Sequence, residues 1–167
     1  MKREELTEKD VQQIKDEIYH RSHEVRSEIL DALKEARAQG DLSENFEYYA
    51  AKRDNGKNNS RIRYLEKMLK TATIISDESR EDEVGMNNTV EVYFPEDDLT
   101  ETYKIVTSIR GDSLSNKISI ESPLGKALLG HKVGDTVEVK VNDSYSYEVQ
   151  IRSIENTTDG SDRISSY

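Results

Sequence analysis

Three acidic side chains lie close together between two long helical patterns, in the stretch Gly40–Tyr48. Asp41, Glu44 and Glu47 follow one another at intervals of three residues, so a turn leading into a helix would bring their carboxylates together. In one interpretation Asp41 caps the second helix, Glu44 completes a capping box, and Glu47 stabilises the first turn. In the other, the acids form a tip that meets a partner. Spacing alone favours capping, but the two roles are compatible because a cap also fixes the geometry of its carboxylate.

The residues before this stretch predict one long helix. Thr7 can cap its first turn, with Asp10 three residues further on. No glycine or proline occurs between Val11 and Gln39, and Gly40 supplies the residue for a chain reversal. The seam positions recur at intervals of three and four with one stutter. They are Val11, Ile14, Ile18, Arg21, Val25, Ile29, Leu33 and Ala36.

The residues after the stretch carry a second helical seam. Its positions are Tyr48, Ala51, Asn55, Asn58, Ile62, Leu65, Leu69 and Ala72. Two helices with such seams, joined by a few residues, predict an antiparallel coiled-coil hairpin. Asn55, Gly56 and Asn58 stand where apolar side chains would pack, so we expect the half nearest the turn to be less stable than the root. This polar part is either an ordinary solvated stretch or part of a tip that meets a partner.

From about Ile75 the helical period gives way to alternation, which predicts strands. The five candidates are Thr89–Phe94, Thr102–Val106, Lys117–Ile120, Thr136–Val141 and Tyr147–Ile151. One short helix is predicted among them, with Ser122 as its cap, Pro123 in its first position and Gly130 at its end. The predicted fold class is therefore two domains: an all-α antiparallel coiled-coil hairpin, then an α+β domain with an antiparallel sheet and one short helix.

The predicted boundaries are 1–76 for the hairpin, 77–85 for a linker, 86–156 for the second domain and 157–167 for a flexible tail. The net charge of −10 supports this division, because residues 1–76 hold 15 basic and 15 acidic residues of the 24 and 34 in the chain. The remaining 9 basic and 19 acidic residues follow residue 76. An acidic second half disfavours wrapping of DNA, which relies on neutralising phosphates, and favours a protein partner.

The composition of the 167-residue chain narrows the class further. It contains no cysteine, which excludes disulfides and thiolate metal sites. The first ten residues contain no apolar signal core, and no run approaches the ~20 apolar residues of a membrane span. We therefore expect a cytoplasmic protein without a membrane partner.

Two linked motifs resemble the Gre-type transcript cleavage factors of bacterial RNA polymerase. The hairpin motif is GDLSENFEY at Gly40–Tyr48, followed by Ala50–Lys52, Arg61–Ile62 and Leu65–Glu66. The second motif is similar to that family's C-terminal domain, which has an FK506-binding-protein-like fold. It consists of Ile118–Ser119, Ser122–Gly130 and Gly134–Asp135. The two motifs occur in the right order over nearly the whole chain, so the pair is much more specific than either alone.

The resemblance implies that the hairpin enters the polymerase's secondary channel when backtracking has extruded the nascent RNA 3′ end. It makes Asp41 and Glu44 the catalytic, metal-binding carboxylates, which would hold a second Mg²⁺ jointly with the polymerase. Two metal ions ~4 Å apart can stabilise both the attacking and the leaving oxygen of a phosphodiester. Two exposed carboxylates bind Mg²⁺ weakly, so we expect none on the isolated protein. We expect an activator of the polymerase's nuclease activity and not an enzyme.

The same resemblance gives roles to neighbouring residues. Gly40, Asn45, Phe46 and Tyr48 would support the tip; Phe46 is the better candidate for stacking on an RNA base, since Tyr48 falls on the seam. Basic residues behind the acids either form an ordinary solvated face or contact RNA phosphates and the channel rim. They are Lys52, Arg53, Lys57, Arg61 and Arg63.

The basic patch is modest within an arm of zero net charge, so we expect the GreA-like, short-fragment kind of factor, acting as a monomer. One alternative is a Gre-like inhibitor that occupies the channel without promoting cleavage, against which the intact acidic motif argues. A coiled-coil adaptor unrelated to nucleic acid is a third hypothesis.

Overall fold

The computed structural model describes residues 3–40, 45–157 and 164, and the chain divides into two compact units. The first unit holds Glu8–Thr73, and the second holds Glu5–Thr7 with the chain from Ile74 onward. The first is helical and the second contains a five-stranded sheet. The predicted fold class of a helical hairpin followed by an α+β unit is confirmed.

The helical unit consists of two arms. The first arm joins three segments and the second is a single helix; they are α1 Glu8–His20, a π-helical turn Arg21–Val25, α2 Arg26–Ala38, and α3 Phe46–Thr71. Side-chain contacts pair Glu17 with Arg61, Arg26 with Asn59 and Ala36 with Asn45. Partners in α3 come earlier in the sequence as the first arm proceeds, so the arms are antiparallel, as predicted.

Part of the predicted seam is buried in the hairpin, and α3 buries Met68 where the prediction had Leu69. Ile14, Leu33 and Ala36 are buried on the first arm, and the buried apolar residues of α3 are Ala51, Ile62, Leu65 and Met68. Burying a side chain of the size of Ile, Leu or Met contributes roughly 1.5–3 kcal/mol, and an alanine contributes less. The apolar seam therefore holds the arms together in the way its spacing predicts.

The first arm is helical throughout but is not one uninterrupted α-helix. At Arg21–Val25 the N–H of Arg26 donates to the carbonyl of Arg21, five residues earlier, as in a π-turn. The backbone on both sides keeps right-handed helical angles. The prediction of an unbroken α-helix from Val11 to Gln39 is wrong in this detail. The wider turn lies at Arg21–Val25, directly before the point at which the seam drifts, and such a turn accommodates a drift.

Besides the two arms, the described residues form seven strands and one short α-helix, and of these only β2 begins in the first unit, at Thr73. Their bounds are β1 Glu5–Leu6, β2 Thr73–Ile74, β3 Asn88–Phe94, β4 Leu99–Val106, β5 Lys117–Ser119, α4 Pro123–Leu128, β6 Thr136–Lys140 and β7 Ser146–Asn156. The five-stranded sheet has the order β5-β4-β3-β7-β6, and β1 and β2 lie outside it. All five strand candidates are confirmed, and β7 extends five residues beyond its predicted end at Ile151.

One strand pair departs from the predicted antiparallel sheet. β5 runs parallel to β4, with Ile105 opposite Ile118. The chain between the two strands forms 3₁₀ turns at Ser108–Arg110 and Ser113–Ser115. This connection carries the chain back along the edge of the sheet before it pairs, and a parallel pair requires such a crossover.

The short helix begins and ends as its sequence predicts. The hydroxyl of Ser122 accepts a hydrogen bond from the N–H of Gly125 at 3.0 Å, and Pro123 occupies the first position. Gly130, after its end, has φ +80°, a conformation in which glycine avoids the strain of a side chain. Leu128 of α4 is fully buried in the core formed by the sheet.

Residues of the predicted linker and of the predicted tail form hydrogen bonds with the second unit. Val84 is buried, and its N–H donates to the carbonyl of His131 at 2.8 Å, so the end of the segment 77–85 belongs to this unit's core. The N–H of Thr157 donates to the carbonyl of Asn87. The rest of the predicted tail, apart from residue 164, lies outside the described residues. The domain limits themselves stay a prediction.

Candidate functional site

The first arm ends at a glycine that turns the chain. The N–H groups of Gln39 and Gly40 donate to the carbonyls of Ala36 and Arg37. Gly40 then adopts φ +106°, which residues with a Cβ rarely occupy. The predicted reversal at Gly40 thus has a backbone conformation that suits glycine.

Asn45 links the facing ends of the two arms. Its Oδ1 accepts the N–H of Tyr48 at 3.0 Å, which makes Asn45 the N-cap of α3. Its Nδ2 donates to the carbonyl of Ala36 at 2.7 Å, near the end of α2. One amide side chain therefore satisfies a free donor at the start of α3 and adds a second hydrogen bond to a carbonyl in the last turn of α2.

The residue that caps α3 decides whether Asp41 can be its N-cap. Because α3 begins at Phe46 with Asn45 as its cap, the prediction that Asp41 caps this helix with Glu44 in a capping box is wrong. The signal was present in the sequence, since asparagine is among the best N-cap residues. Glu47 does lie in the first turn, where a carboxylate favours the helix dipole.

Asp41 and Glu44, the predicted catalytic and metal-binding residues, lie outside the described residues. So do Leu42 and Ser43. What the structure gives is the frame on either side of them, Gly40 and Asn45. Their roles stay predictions.

The two aromatic residues beside this frame differ in exposure. Phe46 is 86% exposed, so its ring is available to a partner. Tyr48 is half-buried, and its ring lies 5.6 Å from the guanidinium carbon of Arg37 and contacts Tyr49 edge-on. Tyr48 thus packs against the first arm, whereas Phe46 is free to stack on a base.

The basic residues behind the tip fall into two groups. Lys52, Arg53 and Lys57 are exposed on α3 and form no ion pair with another described residue. Arg53 and Lys57 are four residues apart and share a face of the helix. Arg61 is buried and bound to Glu17, so its assignment to the exposed basic patch is wrong. Exposed Arg63 donates to the hydroxyl of Ser60.

A polar cluster inside the hairpin was missed by the sequence analysis. It consists of Glu17, Arg21, Asn58 and Arg61, and we call it the polar cluster. Glu17 accepts from the Nε atoms of Arg21 at 2.8 Å and of Arg61 at 2.9 Å. Burial raises the pKa of Glu17, but hydrogen bonds from Arg61 and Arg21 outweigh it and hold the pKa below its usual value. Polar residues at seam positions, Arg21 and Asn58, were the available signal.

The described residues offer neither a metal centre nor a membrane-spanning helix. Within 3–40, 45–157 and 164, no three His, Cys, Asp or Glu side chains come together in a way that could hold a metal ion. No helix in these ranges is long and apolar enough to cross a membrane. The carboxylates of Asp41 and Glu44 are hard oxygen donors and fit Mg²⁺ chemically, although two of them make only part of a site.

We expect Asn45→Ala to destabilise the start of α3 by about 1 kcal/mol, because the Tyr48 N–H loses its acceptor. Asn45→Asp is the matched control, since it keeps that acceptor and removes only the donor to Ala36. Hydrogen exchange at the first-turn amides of α3 should accelerate in the alanine variant and change little in the aspartate variant. Equal acceleration in both would show that the cap does not hold this turn.

Comparisons with known proteins cover both units. The family described as "Transcription elongation factor, N-terminal" matches residues 4–74, and "Transcription elongation factor, GreA/GreB, C-term" matches residues 78–156. The chain is 41% identical over 150 residues to transcription elongation factor GreA of Acholeplasma laidlawii, across 90% of this chain and 95% of that protein. It is 44% identical over 137 residues to transcription elongation factor GreA of Thermoanaerobacter pseudethanolicus, across 81% and 87%. A solved structure of the transcription factor Gfh1 aligns with a TM-score of 0.46 and 27% identity, across 92% of this chain and 97% of that one.

Proposed function

Since the chain belongs to the GreA/GreB family of transcription elongation factors, we propose that it stimulates the cleavage of backtracked nascent RNA by bacterial RNA polymerase. In this proposal the helical hairpin enters the secondary channel and brings its tip to the extruded RNA 3′ end. The second unit docks on the polymerase at the channel entrance. The nuclease is the polymerase, and this protein is its activator.

The observation that carries the proposal is the frame at the end of the hairpin. Asn45 caps α3 and also binds the carbonyl of Ala36, so the two arms are tied together where the acidic segment begins and ends. A tip that must place carboxylates in another protein's active centre gains from such a tie, because preorganised groups lose little entropy on binding. Gly40 allows the chain to leave the first arm at this point.

Asp41 and Glu44 are the residues to which we assign the chemistry. Their carboxylates bind Mg²⁺ jointly with the polymerase, and the carboxylate oxygens orient a water toward the RNA phosphodiester. The ion, when bound, stabilises developing negative charge on the phosphate and its leaving oxygen. The two carboxylates supply only some of the ligands that a Mg²⁺ ion needs. Cleavage therefore requires the assembled complex with the polymerase.

Residues next to the acids hold the RNA in this proposal. Phe46, exposed at the start of α3, stacks on a base of the extruded strand. Lys52, Arg53 and Lys57 contact its phosphates or the rim of the channel. Phosphate contacts fix the position of the strand without selecting its sequence, which suits a factor that acts on any stalled transcript.

The test is a transcript cleavage assay on a stalled, backtracked polymerase complex with end-labelled RNA and Mg²⁺. The expected result is the release of short 3′ fragments when the protein is added, at a rate well above that of the polymerase alone. A complex that has not backtracked is the control and should release none. Binding to the polymerase without cleavage would contradict the proposal and indicate an inhibitor of the channel.

Removing two basic residues should weaken the stimulation of cleavage more when a longer stretch of RNA is extruded. We expect Lys52→Ala with Arg53→Ala to lower cleavage stimulation about tenfold on deeply backtracked complexes, since a charge-assisted hydrogen bond is worth roughly 1.5–3 kcal/mol. Complexes backtracked by one or two nucleotides, which extrude fewer phosphates, should respond much less. Lys67→Ala with Lys70→Ala removes the same charge from exposed positions near the other end of α3 and serves as control. If short and long extrusions respond alike, these residues do not contact the RNA.

A further inference from the structure

The polar cluster is an exception within a seam that is otherwise mostly apolar. Asn58 is 3% exposed and Arg61 8% exposed, on the face of α3 that packs against the first arm. Arg61 binds Glu17 with both ends of its guanidinium fork, Nε to Oε1 at 2.9 Å and Nη2 to Oε2 at 3.3 Å. Glu17 is shared, because Arg21 donates to the same Oε1 at 2.8 Å.

The second half of the cluster involves the π-turn. The Nδ2 of Asn58 donates to the carbonyl of Arg21 at 3.0 Å, and its Oδ1 accepts from Nη1 of Arg21 at 3.3 Å. The same carbonyl accepts the N–H of Arg26, five residues on. The π-turn therefore begins at Arg21, the residue whose carbonyl also binds Asn58 on the other arm. Next to it, Arg26 donates to Asn59 across the hairpin at 3.1 Å.

Directional bonds of this kind distinguish one pairing of the arms from its neighbours. An apolar seam that repeats every three or four residues can be repacked after a slip of one turn, about 5.4 Å, at modest cost. The polar cluster cannot, because a slip would leave Asn58 and Arg61 buried without partners. In coiled coils, a buried polar residue at a seam position specifies register at a cost in stability.

We propose that the polar cluster fixes the axial register of the two arms, and that Asn58 and Arg61 are thereby positioning residues for the acidic segment 41–44. Arg21 precedes Gly40 by roughly 28 Å of helix, so the cluster acts at a distance and touches neither RNA nor metal. Its importance for cleavage rests on the proposed function, because a tip displaced by one turn would miss the polymerase's active centre.

The register can be measured without reference to activity. The chain has no cysteine, so Lys15→Cys with Ala50→Cys, both exposed and on opposite arms, attaches two spin labels at defined sites. We expect one narrow inter-label distance in this background. Adding Glu17→Met with Arg61→Met should broaden it or add a second distance displaced by about 5 Å, one helical turn. Asn58→Leu, which removes the other half of the cluster, should do the same.

The control pair lies beside the cluster in sequence. Asp16→Met with Arg63→Met makes the same change of charge on the same arms, at exposed positions outside the seam. It should leave the distance unchanged. The denaturation midpoint of Glu17→Met with Arg61→Met should change little. Apolar replacement of a buried ion pair is often neutral or stabilising, and Arg21, which loses Glu17, is partly exposed and keeps its hydrogen bond to Asn58.

Activity provides the second measurement. Cleavage stimulation should fall at least about tenfold in Glu17→Met with Arg61→Met, as expected when reacting groups are displaced by even 1 Å, and should be retained in the control pair. A single narrow distance in the apolar variant, or a loss of folding, would overturn the proposal. So would loss of cleavage without a change in the distance. If the wild-type protein stimulated no cleavage at all, the proposed function would fail while the distance measurement still decided the register.

Discussion

Asp41→Ala and Glu44→Ala should each lower the stimulation of transcript cleavage at least about 100-fold. In the proposed function each variant removes a hard oxygen ligand from a site that stabilises charge on the reacting phosphate. Such an effect is worth several kcal/mol, and each ~1.4 kcal/mol is a factor of ten in rate. The N-cap of α3 is Asn45, so neither variant removes the acceptor that begins this helix. Stability should therefore change little.

Polymerase affinity separates this role from a general loss of binding. Competition against labelled wild-type protein should give an affinity within about twofold for both variants, because the proposal places these carboxylates in the reaction and not in docking. Glu47→Ala is the matched control, since it removes a carboxylate from the first turn of α3 and should cost only tenths of a kcal/mol of helix stability. Parallel loss of affinity and cleavage in the Asp41 and Glu44 variants would contradict a role in the reaction itself.

The largest effect on stability is expected for Gly125→Ala. A Cβ on Gly125, which is buried in α4, would lie 2.0 Å from the carbonyl oxygen of Ser119. That atom is backbone and accepts the hydroxyl of Ser122, so it cannot move aside without loss of another bond. We expect the second unit to lose about 3 kcal/mol, at the upper end of overpacking costs, despite the better helix propensity of alanine.

Gly56→Ala is the control for Gly125→Ala, because it makes the same change inside a helix where nothing lies within 4 Å of the new methyl group. It should stabilise α3 by about 0.5–1 kcal/mol. Hydrogen exchange resolved by peptide assigns each effect to its unit: β3 and β7 should exchange faster in the first variant, and α3 more slowly in the second. Unchanged protection of the sheet in Gly125→Ala would refute the clash.

Local sequence signals predicted the elements well where a single residue type decides the conformation. Ser122, Pro123 and Gly130 define α4 because capping, a fixed φ and a positive φ each act within a few residues. The seams of the hairpin were predicted for the same reason, since their spacing directly sets which side chains face the other arm.

The failures concern properties that depend on residues distant in the sequence. Arg61 looks like part of a basic face until Glu17, from the other arm, is placed beside it. The parallel pairing of β5 depends on how the connection folds and not on its own three residues. Capping of α3 by Asp41 was one of two interpretations of the acidic spacing, and Asn45 was expected only to support the tip. Its bond to Ala36, on the other arm, is one that no local pattern reveals.

If carboxylates at the tip complete a magnesium site in the polymerase, as we propose, they change how the cleavage rate depends on the Mg²⁺ concentration. The rate on a backtracked complex is measured across a Mg²⁺ titration for polymerase alone, with the wild-type protein and with Asp41→Ala. We expect the wild-type protein to lower the Mg²⁺ concentration for half-maximal cleavage and the variant to leave it at the value of polymerase alone. An equal shift with both proteins, or a wild-type acceleration without any shift, would contradict it.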